Sequence, residues 1–471
     1  MKLRKAIGLA AAGGLVLAGT VTITPAAADH IGCGAVITRS VTLDSDVGPC
    51  PGDGLIIRAS NITVDLGGHR VFAATPNGPL ENVGIRLGMV SGVTVQNGTV
   101  EGFDAGVFVN GGGGNTIQRI TAQNNVNDMA EPFAFVSGRS PAQQPDVVAG
   151  RTTVQNWNDN MLCFFGDGIT TESSDNNVIR HNRVLGNGPY GGITLVGDSD
   201  NNRVERNQVA DNNISNWTTR SDGSSGTGLC GATLPGAPGM QRGREVQDIG
   251  IRLEGPGADR NTVLGNSVER NALAGISIHS WVCNALPGEP RPGFPNEHNL
   301  ITQNRVTETG QEMRRTPTGL QPSETDSFAD GISSMAQGPI GTVTCTSWRN
   351  TIVRNNSSDN DRHGVSLHAT TQLNVVNENV ANANGADGFF VAARAVNNTL
   401  HKNRGHQNVE HDGHDANAGC DNNDWSGNRF LTVFQGCEAD GGTGWVGGPG
   451  NSADAPGHDE DGPGGGRPAR P

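Results

Sequence analysis

Glu172, Glu254, His279 and Arg252 are the residues of this chain whose types suit acid–base chemistry and whose positions in a repeat would bring them together. Carboxyl and imidazole groups supply general acids and bases. A guanidinium supplies an anion contact or, in a lyase, the base. Arg86, His368, Trp281 and Arg394 are the candidates to hold a substrate beside them. All but Trp281 and Arg394 stand two or four places after the glycine of a Gly-hydrophobic-x-hydrophobic segment.

That segment recurs as Gly84-Ile-Arg-Leu, Gly106-Val-Phe-Val, Gly168-Ile-Thr-Thr, Gly192-Ile-Thr-Leu, Gly250-Ile-Arg-Leu, Gly275-Ile-Ser-Ile, Gly331-Ile-Ser-Ser, Gly364-Val-Ser-Leu and Gly388-Phe-Phe-Val, with Gly413 as the next glycine. Alternation along a strand turns the aliphatic positions inward and the positions of Arg86, Glu172, Arg252, Glu254, His279 and His368 outward to solvent. A second element follows most copies, an asparagine every five residues with an aliphatic residue two places on, as in Asn261, Asn266 and Asn271. Asparagine tolerates left-handed turns and can hydrogen-bond to its own copy one coil away.

Uninterrupted copies such as Gly168 and Gly192, or Gly250 and Gly275, are roughly two dozen residues apart, one coil of three short strands. Longer gaps, as between Gly106 and Gly168, are a coil plus an insert, which a solenoid tolerates because each coil touches only its neighbours. These coils are too short for propeller blades, which need about 40–50 residues. The chain therefore reads as an all-β parallel β-helix solenoid with loop inserts flanking one sheet. Coils stack at about 4.8 Å, so Glu254 and His279 become neighbours. Glu172 and Glu254, two coils apart, fall about 9–10 Å from each other, the upper end for an inverting glycosidase pair. Walls of inserts on both sides of the outward column would make a groove for an extended polymer.

Residues 1–28 have the basic start, apolar stretch and Ala-x-Ala ending of a secretory signal peptide, so the mature protein is expected outside the cell. In that compartment the eight cysteines are expected to pair, Cys33 with Cys50, Cys163 with Cys230, Cys283 with Cys345 and Cys420 with Cys437. Residues 29–54 read as a disulfide-closed cap, 55–439 as the solenoid and 440–471 as a Gly/Pro-rich disordered tail. A net charge of −14 with only three lysines excludes a basic face for nucleic acid or an anionic membrane. The expected partner is a polysaccharide or cell-wall glycan, met by a monomer that does not enter the membrane.

The Gly-Ile-x-Leu and Asn-x-hydrophobic-x-x-Asn pattern, with Asn61-Ile-Thr-Val-Asp-Leu-Gly-Gly-His69, resembles the right-handed parallel β-helix family of secreted bacterial proteins from Leu55 to Phe434. Pectate lyases and NosD-type periplasmic proteins of copper-site maturation belong to it, and the pattern looks most like the NosD type. The signatures of polygalacturonases and classical pectate lyases are missing. Asp412-Gly-His414-Asp415 is similar to the Asp-Pro-His motif of alginate epimerases with glycine for proline, and reads as a coil turn.

The resemblance implies the fold and leaves activity open between three readings. They are a polysaccharide lyase, hydrolase or epimerase, a non-catalytic polysaccharide-binding or surface protein, and a NosD-like metal-handling protein. Ca²⁺ is the one candidate cofactor, through aspartates preceding the strand glycines at Asp167, Asp330, Asp387 and Asp412, although turn formation is the stronger account of aspartate at those places. His401, His406, His411 and His414 raise the question of copper or zinc, but their five-residue spacing follows the turn period, and no site residue is assigned to a metal.

Overall fold

A computed structural model describes residues 31–74, 82–125, 167–188, 191–212, 249–255, 257–271, 273–280, 296–310, 329–336, 347–420 and 422–437. The signal peptide, the tail, Trp281, and Cys163, Cys230, Cys283 and Cys345 lie outside these residues. Among the described residues no helix is long and apolar enough to cross a membrane.

The β-branched triplets between asparagine turns are short strands, and each pairs in parallel with its copy on the next coil. One coil runs through Ile249–Gly255, Thr262–Leu264 and Ser267–Glu269 before the next begins at Ala274–Ser280. Ile251 pairs with Ile276, Val263 with Ile301 and Val268 with Val306. The strands that carry the repeat glycine form one twelve-stranded sheet, here called the glycine sheet, whose order follows the chain. Inward residues stack as aliphatic ladders, including Ile169, Ile193, Ile251, Ile276 and Ile332, all fully buried. Each such side chain contributes about 1.5–3 kcal/mol relative to exposure.

The asparagines form ladders of hydrogen bonds inside the turns. The Asn266 amide donates to Val204 O and to Asn304 Oδ1, both at 2.9 Å, and its Oδ1 accepts from the backbone and side-chain nitrogens of Asn207 at 2.8 and 3.0 Å. The left-handed residue is not the ladder asparagine, as its type suggested, but the one before it: Arg206 at φ 54°, Gly265 at 63° and His298 at 59°. That placement turns the chain while leaving the asparagine amide buried and pointed at its copies.

The repeat glycine is required by close approach. A Cβ on Gly250 would lie 2.6 Å from Gly275 O and from Val268 Cγ1.

Three expectations change at the ends. The described part of the expected cap 29–54 is itself a coil, because Ala35–Ile37, Val41–Thr42 and Val47–Cys50 pair with Leu55–Ile57, Thr63–Asp65 and Arg70–Ala73. Phe389 pairs with Gly413, so the residue stacked on Gly388 is Asp412 and the last coil is one residue shorter than the glycine spacing implied. Asp412 and Asp415 are capping residues: Asp412 accepts the backbone N–H groups of Leu431 and Thr432, and Asp415 accepts Trp425 Nε1 at 2.9 Å. The Cys33–Cys50 and Cys420–Cys437 disulfides are formed, as an exported, oxidising setting would favour.

Candidate functional site

In-register pairing arranges the outer face of the glycine sheet into columns. Two places after the glycine stand Arg86, Phe108, Thr170, Thr194, Arg252, Ser277, Ser333, Ser366, Phe390 and finally His414. Two residues further along are Asn110, Glu172, Val196, Glu254, His279 and Met335, followed by His368. Glu254 is in register with His279, and Val196 separates Glu172 from Glu254, as the repeat spacing required.

This face is not the solvated groove floor expected from the sequence. Glu172, Arg252, Glu254 and Ser277 are 0–2% exposed. Several of the polar groups on this face are paired within the protein. Arg252 Nη1 donates to Glu254 Oε2 at 2.9 Å, the Asn110 amide donates to Glu172, and Arg86 holds Asp53 at 2.9 and 3.1 Å.

Burial drives two groups, on either side of Arg252 in the strand order, in opposite directions. The Asp167 carboxyl, which accepts from Thr170 and Thr194 hydroxyls at 2.7 and 2.8 Å, is pushed up to about 8, because desolvation outweighs these bonds and the Arg252 charge. His279 is pushed down to about 3 by burial first, then by the charges of Arg252 and His368. Neither of its ring nitrogens has a hydrogen-bond partner. At neutral pH this region thus holds a protonated carboxyl and an unprotonated imidazole around a guanidinium.

Towards the C-terminal end, the column just before the glycine alternates acid and imidazole: Asp330, His363, Asp387 and His411. Asp330 Oδ2 lies 3.0 Å from His368 Nε2 and accepts the Ser366 hydroxyl at 2.7 Å. Asp387 has His363 Nδ1 and His414 Nδ1 at 3.2 and 3.0 Å from Oδ2, and His411 Nδ1 at 3.2 Å from Oδ1. Burial raises both aspartates, but Arg362 and His368 at Asp330, and the three imidazoles at Asp387, prevail and hold both carboxyls below the usual carboxylate range.

The family model for the right handed beta helix region matches residues 50–285. The chain belongs to that family. A second model, described as periplasmic copper-binding protein (NosD), matches residues 293–446, a range that includes the Asp–His column. No curated protein matches.

Among solved structures, the β-helix is similar to the Dettilon tailspike protein (gp208) at 13% identity and TM-score 0.45, covering 85% of this chain and 58% of that one. It is also similar to the Azotobacter vinelandii mannuronan C-5 epimerase AlgE4 A-module at 10% identity and TM-score 0.41, covering 80% of this chain and 79% of that one. Pectate lyase Pel9A is 11% identical with TM-score 0.41, covering 80% and 71%. The β-helix thus spans little more than half the tailspike's length. These likenesses concern the fold alone.

The β-helix brings Glu172, Arg252, Glu254, His279 and His368 onto one face, with Arg86 at its N-terminal end. Arg394 does not join them: it is exposed, at φ 72°, in a turn beyond Phe389–Val391. The continuous carboxylate stack expected for Ca²⁺ is absent among the described residues, because imidazoles interleave with Asp330 and Asp387 and Asp412 is out of register. The four clustered histidines divide, since His401 and His406 lie on strands of other sheets, Thr399–His401 and Arg404–His406. The network joining Asp330, His363 and Asp387 was missed. Its signal was present as an acid or histidine immediately before successive glycines, but a turn aspartate looks the same until the register is known. His414 likewise belongs to the outer face, although its motif read as a turn.

Proposed function

We propose that this β-helix is an exported carbohydrate-active enzyme that moves protons on an acidic polysaccharide, a lyase or C5-epimerase of uronic acid residues, along the outer face of the glycine sheet. The observation that carries the reading is Arg252, paired with Glu254, beside His279, whose imidazole burial keeps unprotonated. A guanidinium, a carboxyl and an unprotonated imidazole on adjacent strands are the groups that proton abstraction needs.

Removing the proton next to a uronate carboxylate needs three things: a cation on the carboxylate, an unprotonated base and an acid. Arg252 supplies the first by exchanging Glu254 for the substrate carboxylate. His279 takes the proton. Glu254, which takes up a proton when Arg252 leaves it, delivers that proton, either to the leaving 4-oxygen in a lyase or to the opposite ring face in an epimerase. Asp167 and Glu172 are further acid–base groups along the face, and His368 and Arg86 are contacts along the chain of sugars. Because Arg252 and the ring nitrogens of His279 are buried, substrate entry must displace what covers them, which couples binding to a conformational step.

The test is incubation with alginate, polygalacturonate and a neutral glucan, with and without Ca²⁺, read by unsaturated-uronate absorbance, reducing ends and proton NMR of the uronate epimers. Turnover of an acidic polymer that falls by about 100-fold or more in His279→Gln and Arg252→Lys, with circular dichroism unchanged, supports the reading. Undiminished turnover in both variants removes it. Retention of the polymer without product replaces it with a binding role.

A further inference from the structure

Three imidazoles meet one carboxylate at the last turns of the solenoid. His363 Nδ1 lies 3.2 Å from Asp387 Oδ2, yet it also accepts the Asp387 backbone N–H at 3.3 Å. Its ring partner atom, Nε2, is buried without a hydrogen-bond partner.

The rings are held in place. His363 stacks on Phe390 with centroids 4.3 Å apart, and His414 stacks on Phe434 at 4.2 Å while meeting the edge of Phe390 at 5.1 Å. Glu410 adds an exposed carboxylate at the rim. One ligand atom from each of Asp387, Glu410, His411 and His414 can be chosen so that all four lie within 4.8 Å of one another.

We propose that Asp387, Glu410, His411 and His414 bind one divalent first-row transition cation, with Zn²⁺ and Cu²⁺ as the ions this donor set fits. Ligand bonds of about 2.0–2.2 Å in a tetrahedron place neighbouring donors about 3.3–3.5 Å apart. His414 Nδ1 already lies 3.0 Å from Asp387 Oδ2, near such an edge, while His411 Nδ1 lies 3.2 Å from the other oxygen, Oδ1, and Glu410 closes inward to complete the set. Two carboxylates balance the charge of the ion. Two imidazoles disfavour Ca²⁺, which takes oxygen ligands, and a set without sulfur disfavours Cu⁺. His411 and His414 side chains keep 22% and 16% of their exposure, which leaves a path for entry. The site stands apart from Arg252 and His279 and does not depend on the activity proposed above.

The experiment uses chelator-stripped full-length protein, titrated calorimetrically with ZnCl₂, CuCl₂ and CaCl₂, with a Co²⁺ absorption spectrum as a second readout. Wild type is expected to bind one Zn²⁺ or Cu²⁺ at this site and to show Co²⁺ ligand-field bands of a nitrogen–oxygen set. His411→Ala/His414→Ala is expected to weaken that site by more than about 100-fold, beyond what loss of a supporting partner does, while His401→Ala/His406→Ala keeps it. Should the alanine pair fail to fold by circular dichroism, His414→Gln with the Co²⁺ spectrum decides, the bands being expected to shift or vanish. Unchanged stoichiometry and affinity in the His411/His414 variant, an unaltered Co²⁺ spectrum, or no transition-metal binding by wild type would overturn the proposal.

Discussion

Asp330 Oδ2 and His368 Nε2 lie 3.0 Å apart on adjacent coils although 38 residues separate them in the chain. The bond directs the His368 Nε2 proton at the carboxylate, which also accepts from Ser366. Asp330→Ala leaves buried polar partners unmatched and is expected to lower stability by about 3–5 kcal/mol, read from urea midpoints. Both Asp330 and Asp387 are held below their unfolded values, so they stabilise the fold above the ordinary carboxylate pKa. That contribution is lost as pH falls through the folded values. Asp330→Asn is expected to flatten the decline below about pH 4.

His279 and Asp167 give opposite pH signatures. The folded His279 pKa of about 3 lies below its ordinary 6.5, so the unfolded chain binds more protons between those values and stability falls as pH is lowered through that window. His279→Leu is expected to remove this component. For Asp167 the folded value of about 8 lies above 3.8. Its stabilising effect is complete below 3.8 and is lost as pH rises towards 8, and Asp167→Asn is expected to flatten that slope. Urea midpoints at pH 4, 5.5, 7 and 8.5 separate the two.

Arg252 and Glu254 form a pair that is 1–3% exposed. Arg252→Met strands the Glu254 carboxylate and is expected to lower stability by about 3–5 kcal/mol, whereas Arg252→Met/Glu254→Met is expected to be near neutral or stabilising. A double-mutant cycle measures the coupling. The same double variant should abolish turnover of an acidic polysaccharide, which a merely structural pair would not require.

The asparagine ladder separates its two adjacent positions. Asn266→Ala removes two donated and two accepted bonds in a buried turn and is expected to lower stability by about 2–4 kcal/mol. Arg206→Gly, at the left-handed residue beside the previous rung, is expected to change stability by less than about 1 kcal/mol, since glycine adopts φ of 54° without strain. Thermal unfolding by circular dichroism distinguishes them.

The coil, its three strands, the aliphatic ladders and the neighbouring places of Glu254 and His279 were all legible in the amino-acid sequence. Each repeat stacks on its own copy, so the period in the chain is the period in space. Tertiary structure alone decided that Arg252 and Glu254 are buried, that Asp330, His363, Asp387 and His411 share a column, and that His411 and His414 part from His401 and His406. Those outcomes depend on what covers a face and on a register that a single residue shifts, as at Gly413. Backbone hydrogen bonds across coils set that register, and spacing along the chain does not reveal it.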